Sequence, residues 1–239
     1  MQNQTDKHLF IHIPKNAGMT IRKSPTLRDR ILPASPNRHI SPEYTQKLHQ
    51  VMRESGDHHG NEHARYRDIH PDIRAKYPAF CIIRNPWDRV ASRYWFAKKV
   101  IEVENKEPSS YADVSSFRNF LEERHRWGGK EFFWHRAIRG WYNQVEYIKD
   151  PERSGITQGS KVSCLSFQNL RLDIRSYFKL KDEFRDRSRN VTAVADKTKE
   201  ELYDSETIQI VADWYQEDID YFGFDFSGDA TRNLWNEHD

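Results

Sequence analysis

Residues 79–92 read Ala79-Phe80-Cys81-Ile82-Ile83-Arg84-Asn85-Pro86-Trp87-Asp88-Arg89-Val90-Ala91-Ser92. The first five form an unbroken apolar run, the pattern of a strand covered on both faces in a parallel sheet. Asn85 then suits a helix N-cap, Pro86 the first helical position and Asp88 the third, so the strand passes directly into a helix. A shorter version of this arrangement lies near the N-terminus. Residues 8–13 (His-Leu-Phe-Ile-His-Ile) are β-rich and stop at Pro14; Lys15-Asn16-Ala17-Gly18-Met19-Thr20 and a helical segment ended by Pro25 follow. Residues 162–167 predict a third strand leading into a helix. Strands separated by helices predict an α/β fold: a P-loop-like central parallel sheet flanked by helices, in three layers.

Outward from these junctions, Ser41 and Pro42 predict the start of a helix on which Tyr44, Leu48, Val51 and Met52 form an apolar stripe. Further helices are expected over 115–126, 131–148 and 206–222, the last closed by Gly223. Residues 24–42 hold four prolines and read as irregular. There is no internal repeat and no low-complexity linker, and residues 1–239 are read as a single domain.

Composition narrows the function classes. The 13 Phe, 11 Tyr and 7 Trp are core material that disordered chains lack, and 10 Gly and 10 Pro exclude collagen-like architectures. With 38 Lys+Arg against 36 Asp+Glu, the net charge of +2 does not describe a general polyanion binder, and nucleic acid is not the expected partner. No apolar run approaches the roughly 18–20 residues of a membrane span. The polar segment 1–7 lacks a secretory signal's apolar core, so a cytoplasmic location is expected, with Cys81 and Cys164 reduced and buried.

Open α/β sheets bind ligands at the carboxyl ends of their strands, where helix N-termini favour anions. In the first loop, Asn16, Ala17, Gly18 and Met19 let backbone N–H groups approach an anion. Lys15 adds a point charge and Thr20 a hydroxyl. The loop lacks the Gly-Lys-Ser/Thr ending of a nucleotide-triphosphatase motif. In the second loop, Arg84 at the strand end and Ser92 two helical turns on can hold one phosphate from two sides. Asp88 and Arg89 are read as structural, through capping or surface pairing along the helix.

These residues resemble a known family. HIPKNAGMT (12–20) looks like the 5′-phosphosulfate loop, and IIRNPWDRVASRY (82–94) like the 3′-phosphate element, of sulfotransferases that use 3′-phosphoadenosine 5′-phosphosulfate (PAPS). The likeness is to the branch of carbohydrate sulfotransferases and their bacterial relatives. Residues 218–226 resemble that family's closing segment. Residues 165–170 resemble a strand–turn element that often carries an acid where this chain has Gln168, and Pro25 shortens the helix after the first loop. The resemblance implies sulfuryl transfer from PAPS, without a metal, to an acceptor hydroxyl or amine, with carbohydrate as the favoured acceptor. Lys15, Gly18 and Thr20 would hold the 5′-phosphosulfate, and Arg84 and Ser92 the 3′-phosphate. A kinase-like phosphotransferase and a non-catalytic anion-binding module are the rival readings.

An acceptor hydroxyl must lose a proton, and histidine suits that task near neutral pH. In His58-His59-Gly60-Asn61-Glu62-His63, His63 followed by Ala64 matches a histidine of the resembled branch and is the candidate base, with Glu62 and His59 as alternatives. The same stretch spells H-x-x-E-H, a metalloprotease pattern, but Gly60 and Asn61 are poor helix formers and no third ligand stands out. Trp127, Trp134 and Trp141 recur every seven residues and read as a buried helix face ahead of a sugar-stacking one. Arg185, Arg187 and Arg189 read as a solvated run. The sequon at Asn190-Val191-Thr192 carries little meaning without a secretory signal.

Overall fold

The structure is a computed structural model and describes residues 7–35, 38–54, 62–103, 112–152, 161–184 and 198–236. His58, His59, the 185–189 arginines and the sequon lie outside these residues. Four strands, β1 (His8–Ile11), β2 (Ile31–Pro33), β3 (Ala79–Ile83) and β4 (Val162–Ser166), form one parallel sheet in the order β2-β1-β3-β4. Side chains alternate between its faces. Leu9, Ile11, Ala79, Cys81, Ile83, Val162 and Cys164 enter one apolar layer, whereas Phe10, Phe80, Ile82 and Leu165 enter the other. Helices cover both, so the expected three-layer α/β architecture is present.

The larger layer holds α2 (Pro42–Glu54), α4 (Pro86–Lys98), α5 (Phe117–Trp127), α9 (Ser205–Trp214) and α10 (Gln216–Phe222). The smaller lies under α1 (Gly18–Arg22) and α7 (Leu170–Tyr177). The predicted stripe on α2 buries Leu48 and Met52, with Tyr44 and Val51 partly covered, and Ser41 Oγ accepts the Tyr44 N–H at 3.1 Å. Short helices α3 (Pro71–Lys76), α6 (Val145–Ile148) and α8 (Lys199–Leu202) complete the α-helices among the described residues. Cys81 and Cys164 are buried free thiols on facing positions of β3 and β4, Sγ atoms 3.7 Å apart.

Three expectations are corrected. Residues 24–42 are not wholly irregular: Ile31–Pro33 pairs with β1 as an edge strand, where a proline forfeits no ladder bond that the sheet needs. The helix expected over 131–148 is absent. Phe132 (φ 65°) and Gly129 (φ 69°) are left-handed, a 3₁₀ turn spans Phe133–His135, and only Val145–Ile148 is α-helical. Gly140 closes this segment so tightly that a Cβ would sit 2.6 Å from the Arg136 carbonyl. Trp134 and Trp141 are therefore buried as expected, but not on one helix face. Finally, the helix expected over 206–222 breaks at Tyr215 into α9 and α10; Gly223 (φ 69°) does close it.

Candidate active site

The chain leaves β1 toward β2 on one side and β3 toward β4 on the other. The crevice between the carboxyl ends of β1 and β3 is therefore the switch point where open α/β sheets bind ligands. Both motif loops lie there. The first leaves β1 and enters α1, whose five residues end before Pro25 as expected. Lys15 (φ 69°) and Ala17 (φ 57°) are left-handed, the conformation that turns successive N–H groups toward one side in anion-binding nests. Gly18 admits no side chain: a Cβ would lie 1.6 Å from His12 Nε2.

Asn16 between them is fully buried and turned inward. Its amide donates to the Ile82 carbonyl at 2.8 Å and to Gln144 Oε1 at 2.5 Å, so its side chain anchors the loop to β3. Gln144 Oε1 also accepts the Arg84 N–H at 2.9 Å, while its Nε2 donates to the Arg84 carbonyl at 2.8 Å. The buried Asp218 carboxylate accepts from the Gln144 and Val145 N–H groups at 2.8 and 3.0 Å. Arg89 is not on the helix surface. It is fully buried, and its guanidinium donates to the Pro14 carbonyl at 3.1 Å and the Tyr142 carbonyl at 2.8 Å. Its role is structural, as expected, but it is a bracket between α4 and the first loop. Asp88 pairs with Lys199 at 3.4 Å and lies under the Asn85 cap.

The second loop follows its sequence. Asn85 Oδ1 accepts the Trp87 and Asp88 N–H groups at 3.0 and 3.4 Å, and α4 runs on for 13 residues. The two loops meet where Arg84 Nη1 donates to the Lys15 carbonyl at 3.2 Å. Arg84 stacks 4.3 Å from the Phe167 ring centre, and Lys15 Nζ lies 4.3 Å from that of Phe96. Burial, reinforced by the charges of Arg84, Arg93 and Lys99, pulls the Lys15 pKa down to about 7. Burial likewise lowers that of Arg84 to about 10, against the pull of Asp88. Met19 and Thr20 on α1 and Ser92 on the second turn of α4 are half-buried.

His63 reaches this site through His12, at the end of β1. Its Nδ1 lies 2.7 Å from the His12 carbonyl, and the two rings stand 4.1 Å apart. A carbonyl only accepts, so His63 donates from Nδ1 and carries its lone pair on Nε2. Burial, with the charges of His63 and Arg22, keeps the His12 pKa well below the usual histidine range. Glu62 forms an ion pair with Arg22 at 2.7 Å. The sequence reading missed His12, Gln144 and Asp218. His12 had a signal, a polar residue inside an apolar strand. Gln144 had none, since one polar residue among helix-like neighbours is ordinary.

A model described as the Sulfotransferase family matches residues 1–225. The chain belongs to the sulfotransferase family. No curated protein and no solved structure matches it. This sulfotransferase is accordingly a transferase that moves a sulfuryl group, and membership implies a nucleotide donor and a small acceptor. Among the described residues, no helix is long and apolar enough to cross a membrane.

Proposed function

We propose that this enzyme transfers the sulfuryl group of PAPS to an acceptor hydroxyl, with carbohydrate as the acceptor class and residues 1–239 acting as one cytoplasmic domain. The observation that carries the reading is the Arg84–Lys15 contact, which joins the cationic residues of both motifs at the β1/β3 crevice. The residues also fit an anionic donor on independent grounds. Arg84 Nε and Arg89 Nη2 are buried without a hydrogen-bond partner, and the left-handed Lys15 and Ala17 suit a backbone nest. Buried reduced thiols at Cys81 and Cys164 fit a cytoplasmic setting. The carbohydrate acceptor rests on the motif resemblance alone. Trp134 and Trp141 are buried in the core, and Trp127 is occupied by Phe133 and Arg139, so they add no stacking face.

Bound PAPS supplies the sulfuryl group and a phosphate leaving group. Lys15, with the N–H groups of residues 17–20, holds the 5′ end, the expected Asn16 N–H being given to the Ile13 carbonyl at 3.3 Å. The Lys15 ammonium offsets charge that grows on the leaving oxygen as the bond to sulfur breaks. Arg84 and Ser92 hold the 3′-phosphate from the strand end and from α4. His63, its tautomer set by the His12 carbonyl, receives the acceptor proton at Nε2. No metal has a part in these steps.

The test is adenosine 3′,5′-bisphosphate in a thermal-shift titration beside its 3′-dephosphorylated analogue. Stabilisation of about 2.7 kcal/mol is expected at a hundred times the dissociation constant. Arg84→Ala is expected to weaken binding by about 1.5–3 kcal/mol. Equal affinity for the two nucleotides would remove Arg84 and Ser92 from the 3′-phosphate. Radiolabelled PAPS with a panel of hydroxyl acceptors then identifies the product.

A further inference from the structure

One cluster beside the site is built for more than proton transfer. His12, Glu62 and His63 each bring a ligand atom to within 4.8 Å of the other two. The Nδ1–H of His63 is held by the His12 carbonyl at 2.7 Å, the kind of hydrogen bond that orients a metal-binding imidazole with its Nε2 toward the ion. His12 is only 5% exposed, and its Nδ1 is buried with no hydrogen-bond partner. Glu62 is at the rim, its side chain 26% exposed, with Oε1 paired to Arg22. Two buried imidazoles with one partly exposed carboxylate make a three-ligand set that reaches the surface.

We propose that His12, Glu62 and His63 bind one divalent transition-metal ion of the zinc class, and that the bound ion silences the enzyme. The silencing half rests on the reading of His63 as the base. Two nitrogen ligands and one oxygen suit zinc, copper or nickel and disfavour magnesium and calcium. Tetrahedral zinc holds such ligands roughly 3.4 Å from one another, so the cluster must close by about an ångström. The rim position of Glu62 provides that movement, at the expense of its ion pair with Arg22. An ion on His63 Nε2 takes the lone pair that would receive the acceptor proton. The nucleotide contacts at Lys15 and Arg84 are not among the ligands, so donor binding persists.

The experiment titrates the full chain with Zn²⁺ against a chromophoric chelator, and measures sulfuryl transfer in parallel. Wild type is expected to take up one saturable equivalent. Glu62→Gln, which keeps shape and removes the anionic ligand, weakens uptake by roughly ten- to a hundredfold. His12→Gln does the same, and Arg22→Met tightens binding by removing the competing cation. Stoichiometric Zn²⁺ abolishes transfer, chelator restores it, and the thermal shift with adenosine 3′,5′-bisphosphate is unchanged. Absence of a saturable equivalent, or uptake unaltered in both Glu62→Gln and His12→Gln, overturns the site. Uptake without inhibition overturns the silencing. Activity that requires the zinc overturns instead the metal-free base, and leaves the site standing.

Discussion

Asn16 and Asn85 sit at equivalent places in the two loops; both amides donate to distant partners, but only the Asn85 oxygen caps the helix that follows it. Asn85 caps its own helix through its oxygen, at Trp87 and Asp88, while its amide donates to the distant Asp225 and Gly228 carbonyls at 2.8 and 2.7 Å, and α4 follows from it for 13 residues. Asn16 leads into a five-residue helix with a left-handed neighbour on each side, and its side-chain NH2 donates to Ile82 and Gln144, far away in sequence. Arg89 and Arg84 add two more ties, to the Pro14 and Lys15 carbonyls. The first loop thus borrows its shape from distant parts of the fold, whereas the helix start of the second loop is encoded by adjacent residues as well as held by distant ones. The left-handed backbone at Lys15 and Ala17 costs on the order of 1 kcal/mol or more per residue, and such strain persists only where surrounding contacts over-determine it.

The largest expected effects lie on the borrowed side. His63→Ala should reduce turnover by about 10²–10⁴-fold, with nucleotide binding nearly unchanged. Lys15→Ala should reduce it by about 10²–10³-fold, as expected when one transition-state donor is lost. Steady-state and single-turnover kinetics separate this from a binding role. A loss confined to the donor KM would make the first loop a binding loop like the second, and erase the contrast.

Lys15 also gives the first loop a pH dependence that the second lacks. With its pKa near 7 in the ligand-free protein, Lys15 is fully charged well below pH 7 and loses its proton above it. A bound anion favours the ammonium, so binding takes up a proton wherever Lys15 is partly neutral. Donor affinity should therefore be flat below about pH 6 and fall by about fivefold between pH 7 and 8. Calorimetric dissociation constants across that range check it, and Lys15→Arg should remove the slope.

Anchor replacement probes the contrast most directly. Asn16→Ala strips partners from the buried Ile82 carbonyl and Gln144 amide and should destabilise the fold by about 1–3 kcal/mol. Donor affinity should fall with it, because Lys15 and Ala17 lose their restraint. Asn85→Ala loses about 1 kcal/mol from the cap, roughly 2–4 °C in Tm, plus the bonds to the Asp225 and Gly228 carbonyls, and is expected to have the smaller effect on donor affinity. If Asn85→Ala weakened the donor more than Asn16→Ala, the assignment of local and borrowed support would be reversed.

Where the chain speaks locally, its sequence is readable. The apolar runs of β1, β3 and β4, the Ser41 and Asn85 caps and the Gly223 stop each rest on a few adjacent residues. Reading fails where distant contacts override propensity. Ile31–Pro33 becomes a strand because the edge of β1 is there to receive it. Residues 131–144 hold helix formers, yet Phe132 turns left-handed, and Gly140 packs against three carbonyls of the preceding turn. The break at Tyr215 lets its hydroxyl accept from Arg93 at 3.0 Å inside the core.

By itself, then, the sequence determined the strands β1, β3 and β4, the strand-to-helix junctions, and the charged and hydroxyl residues carried there. Hydrophobic pattern and capping chemistry act within a turn or two of chain, and are complete before the chain folds. Only the tertiary structure decided that the Lys15 carbonyl meets Arg84, that Asn16 turns inward, and that the His63 ring lies against a buried His12 whose pKa that burial lowers. Those features depend on burial and on hydrogen-bond partners many residues away. Such partners, and the desolvation that shifts Lys15 and His12, exist only once the sheet has closed and water has left the crevice.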